Sequence, residues 1–200
     1  MEMMTMSRRQ PAGQPLSAEA RSALANGLES AARGEIGSLN IAKPPANPQH
    51  WATPECFTEA IARRFGRIDF DLAASPDNAK AAAFLSEVDD SLTVDWSSII
   101  NDERESVRVA FVNPEYKNIE PWAAKVAACN SLPRWTLMLV PASVGSLWWA
   151  KHITGKLYWD GIPRLQFVGA PSVYMKDLAL VIAGYGITSG NGYWDWRKQP

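Results

Sequence analysis

Beyond residue 51 the apolar positions of the chain recur at two spacings, and the change from one to the other marks the elements. In "WATPECFTEAIARRFG" (51–66) Phe57, Ala60, Ile61 and Phe65 share one face at helical spacing. Thr53 stands where an N-cap belongs, Pro54 at the first helical position and Gly66 where a helix stops, so a helix is predicted. "RIDFDLAAS" (67–75) reads as a short apolar strand with acids interleaved, and the small residues of "NAKAAAFLS" (78–86), after Pro76, read as helical. "SVRVAFVN" (106–113) is a strand, "IEPWAAKVAAC" (119–129) a helix opening near Pro121, and "WTLMLVP" (135–141) a strand with nearly every position apolar. "GSLWWAKHI" (145–153) predicts another helix, "GKLYWDGIPRLQFVG" (155–169) a β excursion, and "DLALVIAGYG" (177–186) a last buried strand.

Strands that are apolar at every position, separated by helices, indicate an α/β fold with a mostly parallel sheet covered on both faces. Ligands of such sheets bind beyond the carboxyl ends of the strands. "FDLAAS" and "FVNPEY" both lie just past strand ends, which places them on one edge. Ahead of this domain, residues 1–16 and 36–50 are polar and rich in Pro and Gly, and read as loop or linker. Between them Ser17 is a candidate N-cap for a short helix with Leu24, Leu28 and Ala32 on a thin apolar stripe. The expected organisation is an N-terminal appendage, residues 1–48, with a short helix and a Pro-rich linker, followed by one catalytic domain, residues 49–200.

Composition narrows the chemistry. The 200 residues are 46% hydrophobic and 20% charged, with no apolar run near the roughly 18 residues a membrane span needs. The basic pair near the start has no apolar stretch behind it, so a secretory signal is not expected and a cytoplasmic location is. Cys56, Cys129, His50 and His152 are isolated from one another, which suggests neither a metal site nor a disulfide framework and leaves a Ser/His or Cys/His couple poorly supported. The formal net charge of −1 hides an asymmetry: residues 51–110 carry 6 Lys/Arg against 12 Asp/Glu, whereas residues 111–200 carry 9 against 5. A cofactor half and a polyanion-facing half would give that split, and so would solvated charged faces.

The stretch "VRVAFVNPEYKNIEPW" (107–122) carries the chemistry most plainly. The Asn113 side-chain carbonyl and the Pro114 main-chain carbonyl offer two acceptors that no helix claims, with the flat ring of Tyr116 beside them. Together they would receive the exocyclic amine of a planar heterocycle. Taken alone, N-P-x-Y is first of all an Asn-Pro turn next to a buried tyrosine.

"WATPECF", "DFDLAASPDNAKAAAFLSEVDDSLTVDW", "FVNPEYKNIEPWAAKV" and "LMLVPA", in this order and at this spacing, resemble the phage-type DNA N6-adenine methyltransferases of the Dam family, over about residues 49–185. The resemblance implies a Rossmann-like fold dependent on S-adenosylmethionine (SAM), with an antiparallel C-terminal strand. It also implies double-stranded DNA as partner, an extruded adenine as methyl acceptor, no metal, and, for a phage gene, the host cytoplasm. On the cofactor it places Asp71, Ala73, Ala74 and Ser75 of "FDLAAS", Thr53 and Pro54 of "WATP" with Trp51 beside them, and Asp90 of "EVDDS" on the adenosine. Core packing for Trp51 and a solvated turn for Asp89 and Asp90 are the plainer readings of those residues. The catalytic set is Asn113, Pro114, Glu115 and Tyr116, with the Asn113 side chain and the Pro114 carbonyl accepting the amine and the Tyr116 ring stacking on the base. Expected on the DNA are Lys117, Ser143, Lys151, Arg164 and Phe167, which follow the catalytic motif on its side of the sheet.

Glu115 stands where the family motif carries its second proline. The main expectation is methyl transfer from SAM to N6 of adenine in DNA. Two alternatives stay beside it: a weak or silent relative that binds DNA or a protein partner, and an enzyme of the same fold that adds a different group to adenine.

Overall fold

The structure is a computed structural model and describes residues 51–100, 108–132 and 134–198; the expected N-terminal helix and Pro-rich linker lie outside the described residues. Among the described residues four helices, α1 (Glu55–Phe65), α2 (Trp96–Ile100), α3 (Glu120–Ala128) and α4 (Leu147–His152), flank seven strands. The strands are β1 (Phe70–Asp71), β2 (Ala83–Phe84), β3 (Val109–Val112), β4 (Trp135–Pro141), β5 (Tyr158–Ile162), β6 (Leu178–Ala183) and β7 (Gly190–Tyr193). They form one sheet in the order β2-β1-β3-β4-β6-β5-β7. β1 to β4 pair in parallel, β6 runs antiparallel to both β4 and β5, and β7 is parallel to β5. The architecture is the expected Rossmann-like, mostly parallel sheet with one reversed strand near the C-terminus.

Alternation along each strand splits the core between the two faces. Ala110, Val112, Met138, Val140 and Val181 point to the side that α2, α3 and α4 cover with Trp96, Ala123, Val126 and Trp149. Val109, Phe111, Leu137, Leu139 and Ile182 point to the other side, where α1 contributes Phe57 and Ile61 and the segment after β5 contributes Leu165 and Phe167. β3, β4 and β6 are therefore apolar on both faces, as their unbroken hydrophobic runs require.

Two expectations give way to local chemistry. Residues 78–82 are not helical: the chain turns there and enters β2. Asn78 Oδ1 accepts the Ser75 N–H (2.8 Å) and the Asp71 carboxylate accepts the Lys80 N–H (2.9 Å), so side chains hold residues 75–80 in a turn. Thr53 does not cap α1, whose N-cap is Pro54 with no side-chain bond. The C-terminal end of α1 follows expectation, with Gly66 at φ 103°, a conformation favoured by the absence of a Cβ.

One charge is buried far from the cleft described below. Asp160 on β5, 2% exposed, meets the Arg64 guanidinium of α1 at 2.7 Å. That guanidinium also lies over the rings of Phe65 (4.8 Å) and Trp194 (4.9 Å), which ties α1 to the C-terminal segment. Gly192 passes so close that a Cβ would stand 2.5 Å from Tyr158 Oη and 2.6 Å from Asp160 Oδ1. Arg64→Met leaves the carboxylate buried without its cation and should lower the unfolding free energy by about 2–3 kcal/mol, toward the low end for a pair whose arginine is partly in water. Urea denaturation of the two proteins measures it.

Candidate functional site

β1 is followed by β2 on one side of the sheet and by β3 on the other, so the strand order reverses between β1 and β3. A crevice opens at such a point beyond the carboxyl ends. Here a cleft of about 430 Å³, within the range of small-molecule sites, is built from the turn after β1, the loop after β2, the motif after β3 and the segment entering α1.

The turn after β1 depends on Asp71. The carboxylate is 3% exposed; Oδ1 accepts the Ala73 N–H at 3.2 Å and Oδ2 accepts the Lys80 N–H at 2.9 Å. Burial raises its pKa, and the two backbone donors work against that rise. Ala73, Ala74 and Ser75 follow on the cleft wall, where their small side chains allow close approach to the backbone.

Across the cleft the buried strand β3 delivers Asn113. Its Nδ2 donates to Thr53 Oγ1 at 3.1 Å, and its Oδ1 accepts from the Tyr116 hydroxyl at 3.0 Å. The hydroxyl of Thr53, 2% exposed, serves this amide instead of the helix terminus. With the nitrogen committed to Thr53, the oxygen is the atom turned to its remaining neighbours, and a carbonyl oxygen can take a second donor. The Tyr116 ring packs edge-on against Tyr174 (5.7 Å) and Phe167 (6.4 Å).

The loop after β2 forms the third wall. Of its paired acids, Asp89 accepts from the Ser86 N–H (2.8 Å) and hydroxyl (2.6 Å), bonds that hold its carboxyl below the usual range. Asp90, at φ 46°, instead lines the cleft together with Glu87, Ser91 and Leu92. Leu85, Phe111 and Trp122 supply apolar surface. Among the described residues lining the cleft, the carboxylates are Asp71, Glu87, Asp90 and Glu115 and the one cation is Lys80. A site with that balance attracts a positively charged ligand and repels a polyphosphate.

Of the cofactor-side residues expected from sequence, Trp51, Thr53, Asp71, Ala73, Ala74, Ser75 and Asp90 line this one cleft, with Asn113, Pro114 and Glu115 opposite, while Pro54 and Tyr116 stand outside its lining. The residues expected on DNA are dispersed and do not line it. Lys117 is exposed, Ser143 caps the turn before α4 through its carbonyl, Lys151 pairs with Glu120 at 2.8 Å and Arg164 with Asp177 at 2.9 Å. Phe167, 4% exposed, is buried against Tyr116 rather than offered to a partner. Glu87, Ser91, Leu92 and Trp122 were not anticipated. An acid just past a second strand was the available signal for Glu87, hidden once 78–86 was read as helix. Among the described residues no group of three or more His, Cys, Asp or Glu could hold a metal ion, and no helix is long and apolar enough to cross a membrane.

The sequence model of the family described as DNA N-6-adenine-methyltransferase (Dam) matches residues 42–177, more than half of the chain. The chain is also 36% identical over 72 residues to "Putative methyltransferase YfdM" of Escherichia coli (strain K12), a match covering 36% of this chain and 71% of that protein.

Burial, and next the neighbouring Tyr174, push the Tyr116 phenol well above its ordinary value of 10.0. The folded protein thus keeps a proton that the unfolded chain gives up, so this contribution to stability is complete below pH 10 and is lost as the pH rises from there toward the folded value. The difference in unfolding free energy between wild type and Tyr116→Phe should therefore narrow above pH 10 and be constant below it, as read from urea melts on either side of that pH.

Proposed function

The chain belongs to the DNA N-6-adenine-methyltransferase (Dam) family and is a methyltransferase, and we propose that it moves a methyl group from S-adenosylmethionine to the N6 amino group of adenine in double-stranded DNA. The observation that carries this reading is the Asn113 amide, fixed by Thr53 and Tyr116 on a strand adjacent to the one that ends in the Asp71 turn, across an acid-lined cleft.

The residues fit the cofactor. Its sulfonium supplies an electrophilic methyl group, and its positive charge suits a cleft with four carboxylates and one lysine. Trp51 Nε1, buried without a partner among the described residues, is a donor on the same wall. Asp71 would act mainly through the turn it holds, bringing Ala73, Ala74 and Ser75 close to the methionine part. Glu87 and Asp90 stand where a ribose diol could be accepted, with Leu85, Leu92 and Trp122 as apolar contacts for the adenine ring.

Asn113 Oδ1 and the Pro114 carbonyl would accept the two hydrogens of the substrate amine. The N6 lone pair is delocalised into the ring and has to be drawn out of it for attack. Acceptors placed for a pyramidal nitrogen bind the transition state more tightly than the ground state. Both are neutral carbonyls, so they orient the amine without taking its proton; the N–CH3 bond would form as the S–CH3 bond breaks to leave a neutral thioether, and the methylated nitrogen would then release one proton to water. The Tyr116 hydroxyl holds Asn113, and its ring is the candidate stacking surface for the extruded base. Lys117, Ser143 and Arg164 follow the carboxyl ends of β3, β4 and β5, the edge at which a duplex would have to dock; Lys151 lies behind them on α4.

A second reading rests on Glu115, which is exposed on the cleft wall where the family motif carries proline. A carboxylate at that place would suit a slowed methyltransferase, a silent binder, or transfer of a different group.

Nucleoside mass spectrometry of host DNA after expression tests the main reading: N6-methyladenine is expected, and methylation on a cytosine carbon, or no modification, would sink it. In vitro, with labelled SAM and duplex, Asn113→Ala should lower turnover by about 10²–10³ while SAM affinity stays near that of wild type. Glu115→Pro should increase methyl transfer if the glutamate only loosens the loop. Loss of a wild-type modification in that variant would instead assign Glu115 to different chemistry.

A further inference from the structure

The Lys125 side chain leaves α3 and ends among three backbone carbonyls of the loop after β2. Its Nζ donates to Ser91 O at 3.2 Å, to Leu92 O at 2.9 Å and, by a short contact, to Val94 O. Trp96, whose ring lies 5.1 Å from the same ammonium, donates its indole N–H to Ser91 O (3.0 Å) and Ser91 Oγ (3.1 Å). Trp96 in turn packs against Trp122, ring centres 6.2 Å apart. Ser91, Leu92 and Trp122 all line the cleft, whereas Lys125 and Trp96 stand behind it.

The loop needs such an anchor. The carbonyls of residues 91, 92 and 94 are not paired along the sheet, and a buried carbonyl without a donor costs free energy comparable to a lost hydrogen bond. One ammonium with three donors reaches Leu92 O and Val94 O and joins the Trp96 indole on Ser91 O, and hydrogen bonds to a charged donor are about twice as strong as neutral ones. The bonds join elements that sequence keeps apart: α3 follows the Asn113 motif directly, whereas the loop belongs to the strand on the far side of β1.

We infer that Lys125 is a positioning residue for the cofactor: it clamps the loop carrying Ser91 and Leu92 to the helix that carries Trp122, and so sets the width of the cleft where the adenosine part would lie. The inference rests on the proposed SAM site. It concerns shape, because removing a cation from behind an acid-lined cleft would by charge alone favour a cationic ligand. S-adenosylhomocysteine, which has the same adenosine and lacks the sulfonium charge, separates the two effects.

Isothermal titration of the full chain with SAM and with S-adenosylhomocysteine, for wild type, Lys125→Met and Lys125→Arg, is the test. The methionine variant is expected to bind both ligands about tenfold more weakly. In the transfer assay KM for SAM should rise by a similar factor with kcat little changed, and arginine, which keeps donors and charge, should recover part of the loss. Hydrogen exchange adds a ligand-free readout: the Thr93 amide, which bonds Asp90 O at 2.8 Å, should exchange faster in the methionine variant. Unchanged affinity for both ligands in a folded methionine variant overturns the inference, even if its melting temperature falls. Tighter SAM with unchanged S-adenosylhomocysteine reduces Lys125 to a charge effect and overturns it as well. Should wild type bind neither ligand, the SAM reading fails and this role fails with it, while unaltered Thr93 exchange would refute the clamp independently of any ligand.

Discussion

The parallel pairing of β1 with β3, which sets Asp71 opposite Phe111, governs where the chemistry sits. β1 has only two paired residues and is held between β2 and β3, so its end cannot slide without moving every side chain to the other face. Phe111 and Leu72, both fully buried, make that slip expensive. With the register fixed, the Asp71 turn and Asn113 emerge side by side at the edge where the strand order reverses. The cleft follows from this geometry rather than from any one residue inside it.

Polar groups around the cleft are held in place by partners, and several are held at a cost. Asp71 is buried with a raised pKa, and its two backbone donors only partly offset the desolvation. The same carboxylate bends residues 73–80 into a turn, so part of the cost of burial shapes the wall that meets the ligand. The Asn113 amide has a partner on each end, which fixes its orientation before any substrate arrives. In the methyl transfer proposed above, preorganisation of this kind would let a neutral amide act on a developing charge without reorganising. Lys125 extends the same logic to the loop after β2, exchanging solvent contacts of one ammonium for three carbonyls.

The residues expected to meet DNA are likewise engaged within the chain. Arg164 and Lys151 are paired with carboxylates, and Phe167 lies under the surface, where it supports Tyr116 together with Tyr174. The large apolar side chains that the segment exposes are instead Val168, Val173 and Met175. An aromatic residue after a strand end reads from sequence as available surface. Packing decided otherwise, because the ring buries more apolar area against two tyrosines than it could in water.

The sequence by itself determined the sheet class, the two motif-bearing strand ends and ten of the 21 residues that line the cleft. Unbroken apolar runs such as "WTLMLVP" have no amphipathic alternative and must be covered on both faces, and Asn-Pro and small-residue turns after a strand leave few conformations open. What only the tertiary structure decided was the fate of side chains that choose among partners. Thr53 could cap a helix or hold Asn113, and it holds Asn113 across 60 residues of chain. The alanines of 78–86 favour helix locally, yet the Asp71 carboxylate and the pairing of β2 with β1 draw them into a turn and a strand. Asp89 and Asp90 are equivalent in sequence, and the Ser86 hydroxyl selects one for structure and leaves the other on the cleft. Local propensities differ by about 1 kcal/mol or less per residue, and a single buried hydrogen bond to a charged group is worth that much or more. A specific partner, distant for Thr53 and near for Asp89, therefore outweighs local propensity at these positions.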